Sequence, residues 1–88
     1  MILAIDPGSE KTGTAVLGTD GSLVCRQIIP TGDLSCHLRE MYKKYAFTHI
    51  VMGNGTNHRH LQPVAEEWIR KEAPDVTFSL IDEKIGRA

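Results

Sequence analysis

Cysteine is scarce in this 88-residue chain, and its two cysteines, Cys25 and Cys36, are separated by ten residues with no Cys-x-x-Cys pair. That spacing argues against a zinc knuckle or a disulfide framework and predicts reduced thiols in a cytoplasmic setting. No apolar run approaches the roughly twenty residues that a transmembrane helix needs, and no basic-then-apolar leader opens the chain. An excess of charge of one sign is missing too: ten Lys and Arg stand against eleven Asp and Glu, a net charge of −1. A strongly basic chain would have supported nucleic-acid binding through phosphate neutralisation, and this one withholds that support. Repeats and low-complexity segments are absent. At this length residues 1–88 form a single domain, near the lower limit for a self-sufficient core.

What is present is a sequence of short periodic runs. Ile2-Leu3-Ala4-Ile5 is continuously apolar, as in a strand covered on both faces. Thr12 to Leu17 alternates, and Asp20-Gly21 after it is a hairpin turn pair. Leu23 to Ile29 reads as an edge strand, polar at Arg26 and Gln27. Leu34, Leu38, Met41, Tyr42 and Tyr45 then fall at helical spacing, with Thr31 or Asp33 as N-cap. His49 to Met52 is a fourth strand ending on Gly53-Asn54-Gly55-Thr56. Leu61, Val64, Ala65, Trp68 and Ile69 form a second helical stripe with Pro63 in its first turn, and Pro74 stops it. Val76, Phe78 and Leu80 alternate along a fifth strand that runs into Ile81-Asp82-Glu83. The predicted order is βββαβαβ, an α/β chain.

Two of these strands end in carboxylates: the first at Asp6, the fifth at Asp82 and Glu83. Helical crossovers make those strands parallel, so their acids gather at one edge of the sheet, where ligands of open α/β sheets bind. Taken singly, each acid reads as a turn residue or a solvated carboxylate. Clustered, they repel unless a cation neutralises them, and hard oxygen ligands suit Mg²⁺ or Mn²⁺. Pro7-Gly8 forces a tight turn after Asp6, and Gly13 admits a close approach. Around that turn Gly8, Ser9, Lys11 and Thr12 offer donors to a phosphate. His58-Arg59-His60 reads as an exposed entry to the second helix. Lys43-Lys44 and Arg70-Lys71 read as solvated helix faces, and Tyr42, Tyr45 and Trp68 as core.

The segment from Leu3 to Val24, LAIDPGSEKTGTAVLGTDGSLV, resembles the first hairpin of YqgF and RuvC proteins, the resolvase-like branch of the RNase H superfamily. IVMGNGTNHRHLQPVAEEWI is similar to the fourth strand and following helix of YqgF-type domains, including the one in the transcription accessory protein Tex. FSLIDEKIGRA is similar to their Asp-Glu-Arg segment, with Lys84 in place of the arginine. The resemblance implies an RNase H-like mixed sheet of order 3-2-1-4-5. It implies a metal-dependent nuclease of the Holliday junction resolvase or pre-ribosomal-RNA-processing kind, acting on branched DNA or structured RNA with Mg²⁺ or Mn²⁺. It makes Asp6 the first-strand metal ligand and catalytic acid, and puts Asp82 and Glu83 at the fifth-strand acidic position, either of them facing the metal. Asn54, Thr56 and Lys84 join the phosphate- or nucleic-acid-binding set.

Two departures from the family pattern set further expectations. Active members carry another acid on a helix after the fifth strand, and RuvC places a glutamate near the fourth. Here the sequence stops at Ala88, which reads as a C-terminal truncation relative to the family, and Gly53-Asn54-Gly55 holds no carboxylate. A catalytically inactive nucleic-acid-binding or interaction module of the same fold is the alternative. In the 3-2-1-4-5 order both helices fall on one face, so the other is expected to be apolar, uncovered and used for homodimer formation.

Overall fold

Period-two runs form strands and 3.6-period stripes form helices in the order expected. The computed structural model describes residues 1–55 and 57–82. Its elements are β1 (Ile2–Asp6), β2 (Lys11–Leu17), β3 (Leu23–Pro30), a 3₁₀ turn (Thr31–Asp33), α1 (Leu34–Tyr45), β4 (His49–Gly53), α2 (His58–Glu72) and β5 (Thr77–Ile81). They make one mixed sheet of order β3-β2-β1-β4-β5. β2 runs antiparallel to β1 and β3, while β4 is parallel to β1 and β5. Asp20 Oδ1 accepts from the Ser22 backbone N–H at 3.0 Å and its hydroxyl at 2.7 Å, and Gly21 takes φ +85°, which closes the β2–β3 turn. No helix follows β5 among the described residues, and none of the described helices is long and apolar enough to cross a membrane.

Both helices cover the same face. Leu34, Leu38 and Met41 of α1 and Leu61, Ala65 and Trp68 of α2 share one core with Leu3, Ile5, Val16, Ile50 and Met52. Each buried aliphatic side chain contributes roughly 1.5–3 kcal/mol by leaving water. Tyr42 stands edge-on to Phe47 and Trp68, with ring centroids 5.3 and 5.5 Å apart, filling the gap between the helices. Trp68 is thus a core side chain, as expected, and Tyr42 and Tyr45 pack half-buried against that core. Arg39 grips Glu72 with two hydrogen bonds of 2.7 and 2.8 Å, tying α1 to the last turn of α2 across the surface.

Four details differ from expectation. β1 is covered on one face only: Leu3 and Ile5 are buried while Ile2 and Ala4 are half-exposed, because both helices lie on the other side of the continuous apolar run. β5 is mostly exposed, with Phe78 its most buried residue, because it is an edge strand at the margin of the helix layer. Asp33, one of the two expected residues, occupies the N-cap position of α1 but makes no side-chain capping hydrogen bond, and Thr31 belongs to the 3₁₀ turn that precedes the helix. Pro63 sits past the first turn of α2, since that helix begins at His58. The ring removes one helical hydrogen bond at an exposed position, and burial of Leu61, Ala65 and Trp68 on the opposite stripe offsets the loss. The stop is as expected: Ala73, kept out of the helical region by Pro74, closes α2 with its N–H on the Ile69 carbonyl.

One buried polar pair was not foreseen. His37 of α1 is 6% exposed, and its Nε2 lies 2.8 Å from Thr14 Oγ1 on β2, beneath the helix. Burial holds the imidazole below its ordinary pKa, with nearby Glu40 pulling weakly the other way. A depressed folded-state value means the unfolded chain takes up the proton first. The stability tied to neutral His37 is therefore present above the unfolded pKa of 6.5 and is lost as the pH falls below it. Thermal melts between pH 8 and pH 5 are expected to show a falling midpoint below about pH 6.5, and His37→Gln is expected to flatten that slope.

Candidate functional site

The carboxyl ends of β1, β4 and β5 share one edge of the sheet. Register places Asp6 opposite Gly13, Ile5 beside Met52, and Gly53 beside Ile81, so Asp6, Gly53 and Ile81 stand in one row. Asp6 is exposed at the end of that row, and Asp82 follows Ile81, also exposed. β4 lies between them, so their backbones are two strand spacings apart, about 10 Å. Glu83 and Lys84, and Thr56 in the β4–α2 loop, lie outside the described residues. Among the described residues no three His, Cys, Asp or Glu side chains come together as a metal-binding group. The described donors at this edge do not by themselves fit a divalent-cation site.

The turn after Asp6 is built tightly. Thr12, fully buried, shares a 2.8 Å hydrogen bond with the Thr31 hydroxyl and accepts the Gly8 N–H at 3.4 Å. Thr31 Oγ1 donates to the Gly8 carbonyl at 2.8 Å, and Asn57 Nδ2 donates to the same oxygen at 2.9 Å. Three elements thus converge on one residue, Gly8: β2 on its N–H, the 3₁₀ turn and the entry to α2 on its carbonyl. A Cβ at Gly8 would run into the carbonyl of Lys11, so no other residue fits there. Of the four expected donors around this turn, Gly8 and Thr12 spend their hydrogen bonds within the fold, and Ser9 and Lys11 are left facing solvent. Thr31 and Asn57, the residues holding the turn, were not anticipated. Only the turn pattern Pro7-Gly8 signalled that something had to hold it.

Asn57 also brings a second segment to this edge. It immediately precedes α2, whose first residues His58, Arg59 and His60 are exposed or half-exposed. His58 Nδ1 lies 3.0 Å from the Gly55 carbonyl, which holds that ring against the loop at the entry to α2. Beside Asp6, on the helix-free face, the sheet forms an open concavity of about 470 Å³. Ala4, Gly13, Ala15 and Gly53 make its floor, and Ile28 and Ile81 its sides.

A mixed five-stranded sheet of order 3-2-1-4-5 with both crossover helices on one face defines an RNase H-like domain. The chain belongs to the Tex protein YqgF-like domain family, whose model matches residues 1–86. That family is of the nuclease-like RNase H type. No curated protein matches the chain.

The clamp on Gly8 makes a direct prediction. Asn57→Ala removes one of two donors from a carbonyl that keeps Thr31, and is expected to cost about 1 kcal/mol in urea denaturation. Gly8→Ala forces the turn open and is expected to cost more, roughly 2–4 kcal/mol. Equal, negligible losses for both would show that the clamp does not hold the turn.

Proposed function

We propose that this domain binds structured nucleic acid, branched DNA or folded RNA, along the edge where the β1–β2 turn meets the entry to α2. The Asn57–Gly8 hydrogen bond supports this reading, because it ties the β1–β2 turn to the loop before α2, the two segments that carry most of the expected phosphate donors. Ser9 and Lys11 project from the first segment; Asn54, Thr56 and Arg59 belong to the second, with Lys84 following β5. Phosphate oxygens accept hydrogen bonds from such side chains and from the amide groups of a helix N-terminus. With the chain near neutrality and Glu10 on the same turn, the number of phosphate contacts is small. Binding is accordingly modest and sensitive to salt. The free thiols Cys25 and Cys36 accord with a cytoplasmic protein, and the helix-free face with a homodimer.

A second reading, metal-dependent hydrolysis of the same backbone, is favoured by the exposed carboxylate of Asp6 at the end of β1. In it Asp6, Asp82 and Glu83 act as the catalytic acids and hold Mg²⁺ or Mn²⁺. The two described acids fall short of a three-ligand site, and a binding role asks nothing more of them.

Fluorescence anisotropy with a four-way DNA junction and a structured RNA tests the first reading. Lys11→Ala is expected to weaken binding to either and to lower the log–log salt slope by about 0.7–0.9, the loss of one phosphate contact. Absence of salt-dependent binding overturns the proposal. Calorimetry with Mn²⁺ on the wild type and Asp6→Asn separates the second: equal affinities exclude a metal on Asp6. Cleavage of either substrate that disappears in Asp6→Asn would instead establish hydrolysis.

A further inference from the structure

A hollow of about 410 Å³ lies at the corner of the sheet where β3 ends beside the β1–β2 turn, and Glu10, Lys11, Ile28 and Pro30 line it. Strand pairing sets Lys11 opposite Pro30 and Gly13 opposite Ile28. Ile28 therefore stands two residues along the strand from the Lys11 row, about 7 Å away. It is 71% exposed, the most exposed large apolar side chain among the described residues. Glu10, Lys11 and Pro30 are exposed as well, and neither charge belongs to an ion pair among the described residues. The wall is half apolar and half charged.

We infer that this hollow takes the base of an unpaired nucleotide, its flat face against Ile28 and Pro30, while Lys11 holds the adjoining phosphate. The inference rests on the nucleic-acid reading above and names the form of nucleic acid that the edge selects.

The chemistry of the wall chooses this occupant. Glu10 excludes an anion, because a phosphate seated in the hollow would face a carboxylate of its own sign. A nucleobase carries no charge, and its amino groups are donors that a carboxylate accepts. The side chains of Ile28 and Pro30 have no hydrogen-bonding group, which suits the face of a base and not its edge. Isoleucine and proline are among the side chains that enter between base steps and unstack them. Lys11 supplies the link to the backbone, since the side chain that lines the hollow is also the cation of the β1–β2 turn.

The same wall discriminates against plain duplex. There each base face is covered by its neighbours, and only base edges reach the grooves. Faces become available where a strand is single, looped or branched. With a net charge of −1 the chain has little electrostatic attraction to spend, so the apolar contact carries a large share of the affinity.

Fluorescence anisotropy on the 88-residue chain tests the inference, with a labelled single strand and its perfect duplex, each prepared as DNA and as RNA. Circular dichroism checks folding. The single strand is expected to bind at least about fivefold more tightly than the duplex. Ile28→Ala, a change at an exposed site, is expected to remove most of that preference while leaving the salt slope at its wild-type value; Lys11→Ala lowers the slope instead. A preference shown with only one of the two sugars upholds the hollow and identifies its nucleic acid. Absence of salt-dependent binding to every probe overturns the nucleic-acid reading and this one together. Equal affinity for single strand and duplex, or a preference indifferent to Ile28→Ala, overturns the base-holding hollow alone and leaves a phosphate-binding edge.

Discussion

The connections β3 to β4 and β4 to β5 step across the sheet in the same direction between parallel strands. A right-handed crossover gives both helices one face and denies them the other. The distribution of side chains follows from that constraint. On the covered face Leu3, Ile5, Val16, Ile50 and Met52 meet the apolar stripes of α1 and α2, and the Tyr42–Phe47–Trp68 cluster fills the seam between helices. On the other face Ile2, Ala4, Ala15 and Val51 stay half-exposed, although nothing in their chemistry favours water. The outer strands β3 and β5 lie toward the margins of a two-helix layer, so Val24, Ile28, Leu80 and Ile81 remain exposed.

The covered side is not uniformly apolar, and the exceptions cluster. Thr12 and Thr14 point inward from β2, where a valine would pack as well. A buried hydroxyl without a partner costs about 1–3 kcal/mol, so each needs a polar neighbour. Thr14 finds His37 beneath α1, and Thr12 finds Thr31 and the Gly8 amide. These partners come from α1, the 3₁₀ turn that leads into it and the β1–β2 turn. The polar face of β2 therefore does what an aliphatic one cannot: it fixes the rim of the fold at the carboxyl edge, with Asp6 at its border.

Periodicity made most of the fold legible. Alternation in β2, the stripe Leu34-Leu38-Met41, the Asp20-Gly21 turn and the Pro74 stop each act locally, and each appears at the expected place. The sheet order came from the resemblance of the Asp6-Pro7-Gly8 and Gly53-Asn54-Gly55 segments to a known family, not from spacing. Tertiary contacts were harder to read. Thr31 looked like a helix cap, yet its hydroxyl serves Gly8 and Thr12, 23 and 19 residues away. His37 is a polar residue on an otherwise apolar stripe, a visible anomaly, but Thr14 as its partner depends on how α1 lies across β2. Ile2 and Ala4 suggested burial on both faces because composition records affinity for a core and not whether a layer is there to supply it. At the site, the alignment of strand ends was deducible from parallel crossovers. The engagement of Thr12 was not, since nothing local marks it as inward rather than phosphate-facing.

Asp6 and the turn that follows it have different surroundings. Asp6 stands exposed on the helix-free side of the sheet, beside Gly13, where an added Cβ would meet its side chain. Ser9 and Lys11 lie beyond that row, on the turn itself, and are exposed to solvent at the edge. The separation has its origin in the strand register: Asp6 opposite Gly13 belongs to the sheet face, while the turn held by Asn57 and Thr31 belongs to its edge.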